Sequence, residues 1–180
     1  MVLAETFGDF AFAIACRVMG LRDLGPSISP FNAFLITTGI ETLPLRMERH
    51  CANALTVARY LEAHSAVAWV NYAGLESNKY HAIAKRICPA GAGLSHIRAK
   101  RRLSGGRRVC RCAGAVSHLA NIGDTRSLVI HPASTTHSQL TSEQRAAAGA
   151  GDDVVRLSIG IEDAADIIAD LDQALAKASA

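Results

Sequence analysis

Apolar and small residues recur in the first third of the chain at steps of three and four, and that spacing predicts a helix. Ile36, Ile40, Leu43, Met47, His50, Ala54, Val57 and Leu61 share one stripe, which calls for roughly 30 helical residues with one buried face. Ser29 followed by Pro30 supplies an N-cap and a first helical position. Pro44 removes a backbone donor, so it kinks this helix or divides it in two. His50, lying on the stripe, reads as a packed histidine. Before the helix, residues 1–28 form an apolar lead-in that ends in LRDLGPSIS, a turn-rich stretch with Gly25 and Pro26. Beyond it the period shortens to two. Val67–Tyr72 reads as a strand closed by Gly74, and Tyr80–Arg86 as a short helix. His118–Ile122 and Ser127–His131 read as short strands, and Val154–Gly160 alternates as a strand should. Glu162, Asp163 and Asp166 then open a helix with an apolar face of Ile167, Ile168, Leu171, Ala174 and Leu175. Acids in that first turn favour the positive end of the helix dipole. The pattern predicts an α/β chain whose C-terminal part is an α+β layer: a long helix leading into a small open sheet with helices on one face. There is no internal repeat.

Composition supports one folded domain with a sizeable core. The chain has 180 residues, 49% hydrophobic and 19% charged, which excludes a disordered polypeptide. Its N-terminus carries Glu5, Asp9 and Arg17 and no basic n-region, so a signal peptide is not expected, and the apolar runs are too short to span a bilayer. Five cysteines, an odd number without an export signal, imply reduced thiols and a cytoplasmic setting.

Charge changes the picture more. The net +3 hides a basic segment: residues 77–123 hold ten Lys and Arg and no acid, while the remainder holds nine basic and sixteen acidic residues. Within it, residues 87–116 concentrate Arg, Gly, Ala and Cys. That is the composition of GC-rich coding DNA read out of frame, with shifts expected near residues 88–95 and 113–117. Its arginines cannot be buried unpaired, so if the frame is shifted, poor stability or a disordered loop over residues 95–112 is the expectation. The competing reading is a nucleic-acid or zinc-binding module, with Cys88, His96, Cys110 and Cys112 as candidate ligands. Against it, Cys110 and Cys112 stand closer than structural zinc spacing, and no aromatic residue is present to stack on bases.

Several strings point to chemistry. ETFGD (5–9), LRDLGPSISPFNAFL (21–35), GIETLPLRMERH (39–50) and VNYAGL (70–75) resemble the cystathionine-synthase-like, fold-type-I pyridoxal-phosphate enzymes of sulfur amino-acid metabolism. SHLANIGDTRSLVIHPASTTH (117–137) and RLSIGIED (156–163) favour the O-acetylhomoserine sulfhydrylases within that family; its cystathionine γ-synthase and γ-lyase members are the alternative. The resemblance covers residues 4–86 and 117–178 and corresponds to about the C-terminal two-fifths of such an enzyme. It divides the chain into residues 1–28, the end of the large cofactor domain; 29–64, the connecting helix; and 65–180, the C-terminal small domain. The fold it implies is a fold-type-I transferase, and the cofactor is pyridoxal phosphate.

The resemblance also implies site residues. Arg156 binds the substrate α-carboxylate, and the physics agrees, because a guanidinium offers a planar, permanently charged pair of donors. The plain alternative is a surface arginine on an edge strand. Ser127 falls where the family has a serine beside that carboxylate; otherwise it is an ordinary strand serine. Arg126, His131 and His137 receive structural roles. The Schiff-base lysine is not found: Lys79, Lys85, Lys100 and Lys177 all lack its Ser-x-Thr-Lys-like context. No covalent attachment of the cofactor to this chain is therefore expected, and no catalytic residue is assigned. Partners implied are O-acetyl-L-homoserine with sulfide or methanethiol, and a homo-oligomeric parent enzyme. From another class comes a different expectation, that the chain is a non-catalytic remnant or interaction domain.

Overall fold

A computed structural model describes residues 2–88, 94–99 and 104–179. The chain divides into two compact units, residues 1–43 and 44–180. The first holds α1 (Val2–Phe7), a 3-10 turn at Gly8–Phe10, α2 (Ala11–Ala15), a π-helical stretch at Cys16–Asp23 and α3 (Pro30–Glu41). Ser29 caps α3 as expected: its hydroxyl accepts from Asn32 N at 3.1 Å, with Pro30 in the first turn. The helix stops at Thr42, and α4 (Leu43–Ala63) opens the second unit with Pro44 in its first turn, where a missing N–H costs nothing. The long helix is thus two, as Pro44 required.

The expected stripe is buried only in its second half. His50, Ala54, Val57 and Leu61 are core, whereas Ile36, Ile40, Leu43 and Met47 are exposed. No residue from 4 to 43 is buried. Period alone marks the face that wants cover and does not say whether the chain itself provides it.

The second unit continues with β1 (Val67–Asn71), α5 (His81–Ile87), β2 (Leu94–Ala99), α6 (Ser104–Cys112), β3 (Ser117–His118) and β4 (Leu128–Ile130). A 3-10 turn (Pro132–Ser134), α7 (Ser142–Ala147), β5 (Val154–Ser158) and α8 (Ala164–Ser179) complete it. The strands form one sheet in the order β1-β2-β5-β4-β3, antiparallel except for the β4–β3 pair. Val129, Val155, Leu157 and Ile159 join α4, α6 and α8 in one core with Ala54, Val57, Leu61, Val109, Ile167, Leu171 and Leu175. The period of two then sends Val154, Arg156 and Ser158 to the opposite face. A surface clasp ties α4 to α8: Tyr60 donates to Asp172 Oδ1 at 2.6 Å and His64 Nε2 donates to the same oxygen at 3.1 Å. The bond to Asp172 pushes the Tyr60 hydroxyl up to about 12.

Two expectations are corrected. The strand foreseen at His118–Ile122 shrinks to Ser117–His118, which pairs with Leu128 and Val129. Past it the backbone turns: Asn121 Oδ1 accepts from Ile122 N, Gly123 sits at φ 78°, and Asp124 Oδ1 accepts from Arg126 N. These local bonds compete with the ladder and win.

The basic segment is not a loop over residues 95–112. Residues 94–99 pair between β1 and β5, and 104–112 are helical; residues 100–103 lie outside the described set. Helical spacing explains it. Arg107, Arg108 and Arg111 fall on the exposed side of α6, while Gly106, Val109 and Cys110 are buried. No described arginine of this helix needs burying. Gly106 lets α6 sit close, because a Cβ there would stand 3.1 Å from the His131 ring and 3.3 Å from Val155. The zinc reading loses Cys110: burial pushes its thiol up to about 12, against the thiolate that a metal needs. Among the described residues no set of three or more His, Cys, Asp or Glu is arranged for a metal, and no helix is long and apolar enough to cross a membrane.

Candidate functional site

Arg156 stands at the middle of β5, opposite His96 of β2 on one side and Ile130 of β4 on the other. It is therefore on a central strand and not on an edge. The side chain is half-buried, and its Nη2 donates to the carbonyl of Asn121 at 3.3 Å. Arg126 and Arg145 are each paired with an aspartate, Asp124 at 3.3 Å and Asp152 at 3.1 Å. Arg156 has no carboxylate partner among the described residues. A partly desolvated guanidinium held only by a neutral carbonyl retains donors and full charge for an incoming anion, and its planar fork fits a carboxylate.

The loop over it comprises residues 119–126. The N–H and guanidinium of Arg126 hold the Asp124 carboxyl below the usual carboxylate range. Leu119 and Ile122, either side of Asn121, are exposed. The loop that supplies the Asn121 carbonyl thus combines exposed apolar side chains with a turn held by Asp124.

Ser127 is fully buried and its polar atoms are all occupied. Its N–H donates to Glu162 Oε1 at 2.5 Å and its hydroxyl to Glu162 Oε2 at 2.9 Å. The hydroxyl accepts from Gly160 N at 2.9 Å, and the carbonyl accepts from Ser117 N at 2.9 Å. In this arrangement Ser127 fixes the start of β4 beside the Arg156 strand, and its hydroxyl already has a donor and an acceptor within the protein.

The turn after β5 is locked from behind. His50 Nδ1 donates to Ile159 O at 2.6 Å, and Asn53 Nδ2 donates to Gly160 O at 3.0 Å and to Glu162 O at 2.7 Å. Gly160 admits no side chain, because a Cβ would run into Thr125 O and the Arg126 backbone. His50 is thus the packed histidine expected, with a bond that orients it. His131 is structural too: Nε2 donates to Asp152 O at 2.7 Å and Nδ1 accepts from Ser134 Oγ at 2.8 Å. The His137 ring meets Thr136 Oγ1 at 2.8 Å, and Arg126 is exposed.

Three contributors escaped the sequence reading. Glu162 was assigned to the dipole of α8, which begins only at Ala164; its side chain folds back to residue 127 instead. Asn53 is not a position of the apolar stripe and carries no signal of its own. Asn121 acts through its carbonyl, which carries no sequence signal at all.

Pyridoxal phosphate needs a lysine and a cradle for its phosphate. Lys79, Lys85 and Lys177 are exposed, and Lys79 lies 4.8 Å over the Tyr80 ring; Lys100 is outside the described residues. A hollow on the Trp69 side of the sheet is lined, among the described residues, by Asn71, Ala146, Ala148, Gly149, Gly151, Asp153 and Val154, and none of these is a cation that could hold a phosphate. The described residues therefore do not fit the cofactor.

Comparisons with known proteins agree on one group. The model of the family described as Cys/Met metabolism PLP-dependent enzyme matches residues 7–176. Homocysteine synthase of Schizosaccharomyces pombe is 49% identical over 176 residues, 97% of this chain and 41% of that protein. O-acetyl-L-homoserine sulfhydrylase of Leptospira meyeri is 49% identical over 175 residues, 95% of this chain and 40% of that protein. A crystal structure of an O-acetylhomoserine (thiol)-lyase from Campylobacter jejuni, containing N'-pyridoxyl-lysine-5'-monophosphate, superposes with a TM-score of 0.85 at 44% identity. It takes in 95% of this chain and 41% of that one. The chain thus spans about 40% of the length of these relatives. A match over 97% of the chain runs through residues 87–116, so the basic stretch replaces sequence inside the fold and is not an added module.

Proposed function

Because the chain belongs to the Cys/Met metabolism PLP-dependent enzyme family, we propose that it supplies the substrate-carboxylate half of an O-acetyl-L-homoserine sulfhydrylase. The observation that carries this reading is Arg156: half-buried, central in the sheet, and without a carboxylate partner among the described residues. Its guanidinium binds the α-carboxylate of O-acetyl-L-homoserine. The Asn121 carbonyl holds its guanidinium. Ser127 and Glu162 hold β4 and β5 in register beside it.

In the reaction proposed for the whole enzyme, the bond from the γ-carbon to the acetate oxygen breaks and a carbon–sulfur bond forms. Sulfide gives homocysteine, methanethiol gives methionine, and acetate leaves. Pyridoxal phosphate supplies the electron sink for such chemistry when it is bound. The described residues of this chain hold no seat for it, so their part is binding and orientation. Homo-oligomeric assembly and a cytoplasmic setting belong to the same proposal.

The test is a chimera in which this chain replaces the matching part of the Leptospira meyeri enzyme, assayed for sulfide-dependent homocysteine formation. Arg156→Ala should raise KM for O-acetyl-L-homoserine on the order of a hundredfold, since losing a bidentate charge-assisted pair costs about 3 kcal/mol. Arg156→Lys should fall between, keeping the charge and losing the fork. An unchanged KM in Arg156→Ala would sink the assignment.

A further inference from the structure

We propose that the outer face of α6 (Ser104–Cys112) is a binding surface for a nucleic-acid duplex, gripped through its phosphates without regard to base sequence. The proposal goes beyond the sulfhydrylase reading and uses none of its residues. α6 covers the Val155 side of β5, and Arg156 alternates to the other side.

Three observations carry it. First, the arginines are displayed together. At about 100° per residue, Arg107, Arg111 and Arg108 fall within an arc of about 100° on one side of the helix, and all three are exposed. Second, the chain does not neutralise them. None of the three makes an ion pair among the described residues, and residues 77–123 hold ten Lys and Arg and no acid. The acid that reaches the end of this helix, Asp170 of α8, is turned to the backbone: it accepts from Gly114 N at 2.9 Å, Ala115 N at 3.0 Å and Val116 N at 2.9 Å. Third, the helix is anchored. Val109 and Cys110 belong to the core, and Gln173 Nε2 donates to Cys112 O at 2.7 Å. Guanidinium groups on an anchored helix lose less freedom on meeting a partner than the same groups on a mobile loop.

Charge complementarity selects the occupant. A duplex carries one negative charge per about 1.7 Å of its axis, so one turn of guanidinium groups meets several phosphates at once, and the planar fork of each suits a phosphate. Residues 87–116 contain no Phe, Tyr or Trp. That lack of stacking groups argues against a single strand but not against a duplex, which is held by its backbone. An anionic membrane fits less well. A basic amphipathic helix lies in a bilayer interface by burying its apolar face there, and the apolar face of α6 is already spent on α8 and the sheet.

The experiment titrates the full chain into a fluorescent, mixed-sequence DNA duplex of about 20 base pairs and follows anisotropy between roughly 50 and 200 mM salt. Expected is binding that weakens as salt rises. R107Q/R108Q/R111Q should weaken it at least tenfold at the low-salt end, with the urea midpoint unchanged. The slope of log K against log salt should shrink by about 2–3, since each phosphate contact contributes about 0.9. Each single variant should shrink it by about 1, which keeps the test decisive if the triple variant folds poorly. The control R17Q/R59Q/K177Q removes the same net charge from exposed positions elsewhere and should bind as the parent does. No binding at the low-salt end overturns the proposal. So do parent-like binding by R107Q/R108Q/R111Q, single variants that keep the parent's slope, and an equal loss in the control. A chain that sediments with phosphatidylserine vesicles through the same arginines and leaves the duplex free assigns the face to a membrane and also overturns it.

Discussion

Removing the Glu162 carboxylate should destabilise the chain more than its half-exposed position suggests. The side chain accepts two bonds from one fully buried residue, Ser127 N at 2.5 Å and Ser127 Oγ at 2.9 Å. Glu162→Ala leaves both donors unpaired in a place sealed by Gly160, Thr125 and Arg126. An unsatisfied buried donor costs about 1–3 kcal/mol. Glu162 is only half-buried, so water reaches part of the vacated space, and the sum comes to about 3 kcal/mol, the low half of that range for two donors. For a unit of this size that is about 10 °C in Tm. Urea unfolding followed by far-UV circular dichroism measures it, with an unchanged m-value. Ser127→Ala, which orphans Gly160 N and one carboxylate oxygen, should cost about 1–2 kcal/mol. The double variant should cost less than the sum by at least about 1 kcal/mol, because both changes delete one contact. A Glu162→Ala loss under about 0.5 kcal/mol, or strict additivity with Ser127→Ala, would refute the lock between β4 and β5.

Gly160→Ala drives a methyl into Thr125 O and the Arg126 backbone, so it should cost more than about 3 kcal/mol and show as loss of soluble protein; a well-folded variant would contradict the close approach. Burial raises the Asp170 carboxyl, but the N–H groups of Val116, Gly114 and Ala115 and the Gln173 amide outweigh it and hold it below the usual range. A depressed carboxylate stabilises above its unfolded pKa, about 3.9, and that contribution fades as pH falls through the lower folded value. Acid titration of stability should therefore lose a component below about pH 4 in Asp170→Asn. Cys16 and Cys88 are exposed, whereas Cys110 is core with its thiol at about 12; mass spectrometry after mild alkylation should find the first two modified and Cys110 intact until denaturant is added.

Much of the architecture was legible because it follows local rules. Ser29–Pro30 marked the start of α3, Pro44 marked the break, and the 167/171/174/175 spacing marked the face of α8. The alternation in 154–158 was legible too, although both faces of β5 proved largely buried. The basic segment misled for an instructive reason: composition counted its arginines, while helical phase separated Arg107, Arg108 and Arg111 from Val109 and Cys110. His118–Ile122 misled because short-range bonds from Asn121 and Asp124 bend the chain out of the ladder.

The sequence alone put forward Arg156 as the proposed carboxylate-binding residue, because side-chain identity and the string around it are linear information. Only the tertiary structure decided what surrounds it. The Asn121 carbonyl lies 35 positions away, Ser127 and Glu162 lock across 35, and Asn53 reaches Glu162 across 109. Such pairings arise from sheet order and helix packing, which bring distant backbone groups to hydrogen-bonding distance and leave no periodicity in the chain. Nor did the sequence reveal that half of the apolar stripe it announced is uncovered, since burial depends on what packs against a face and not on the residues that make it.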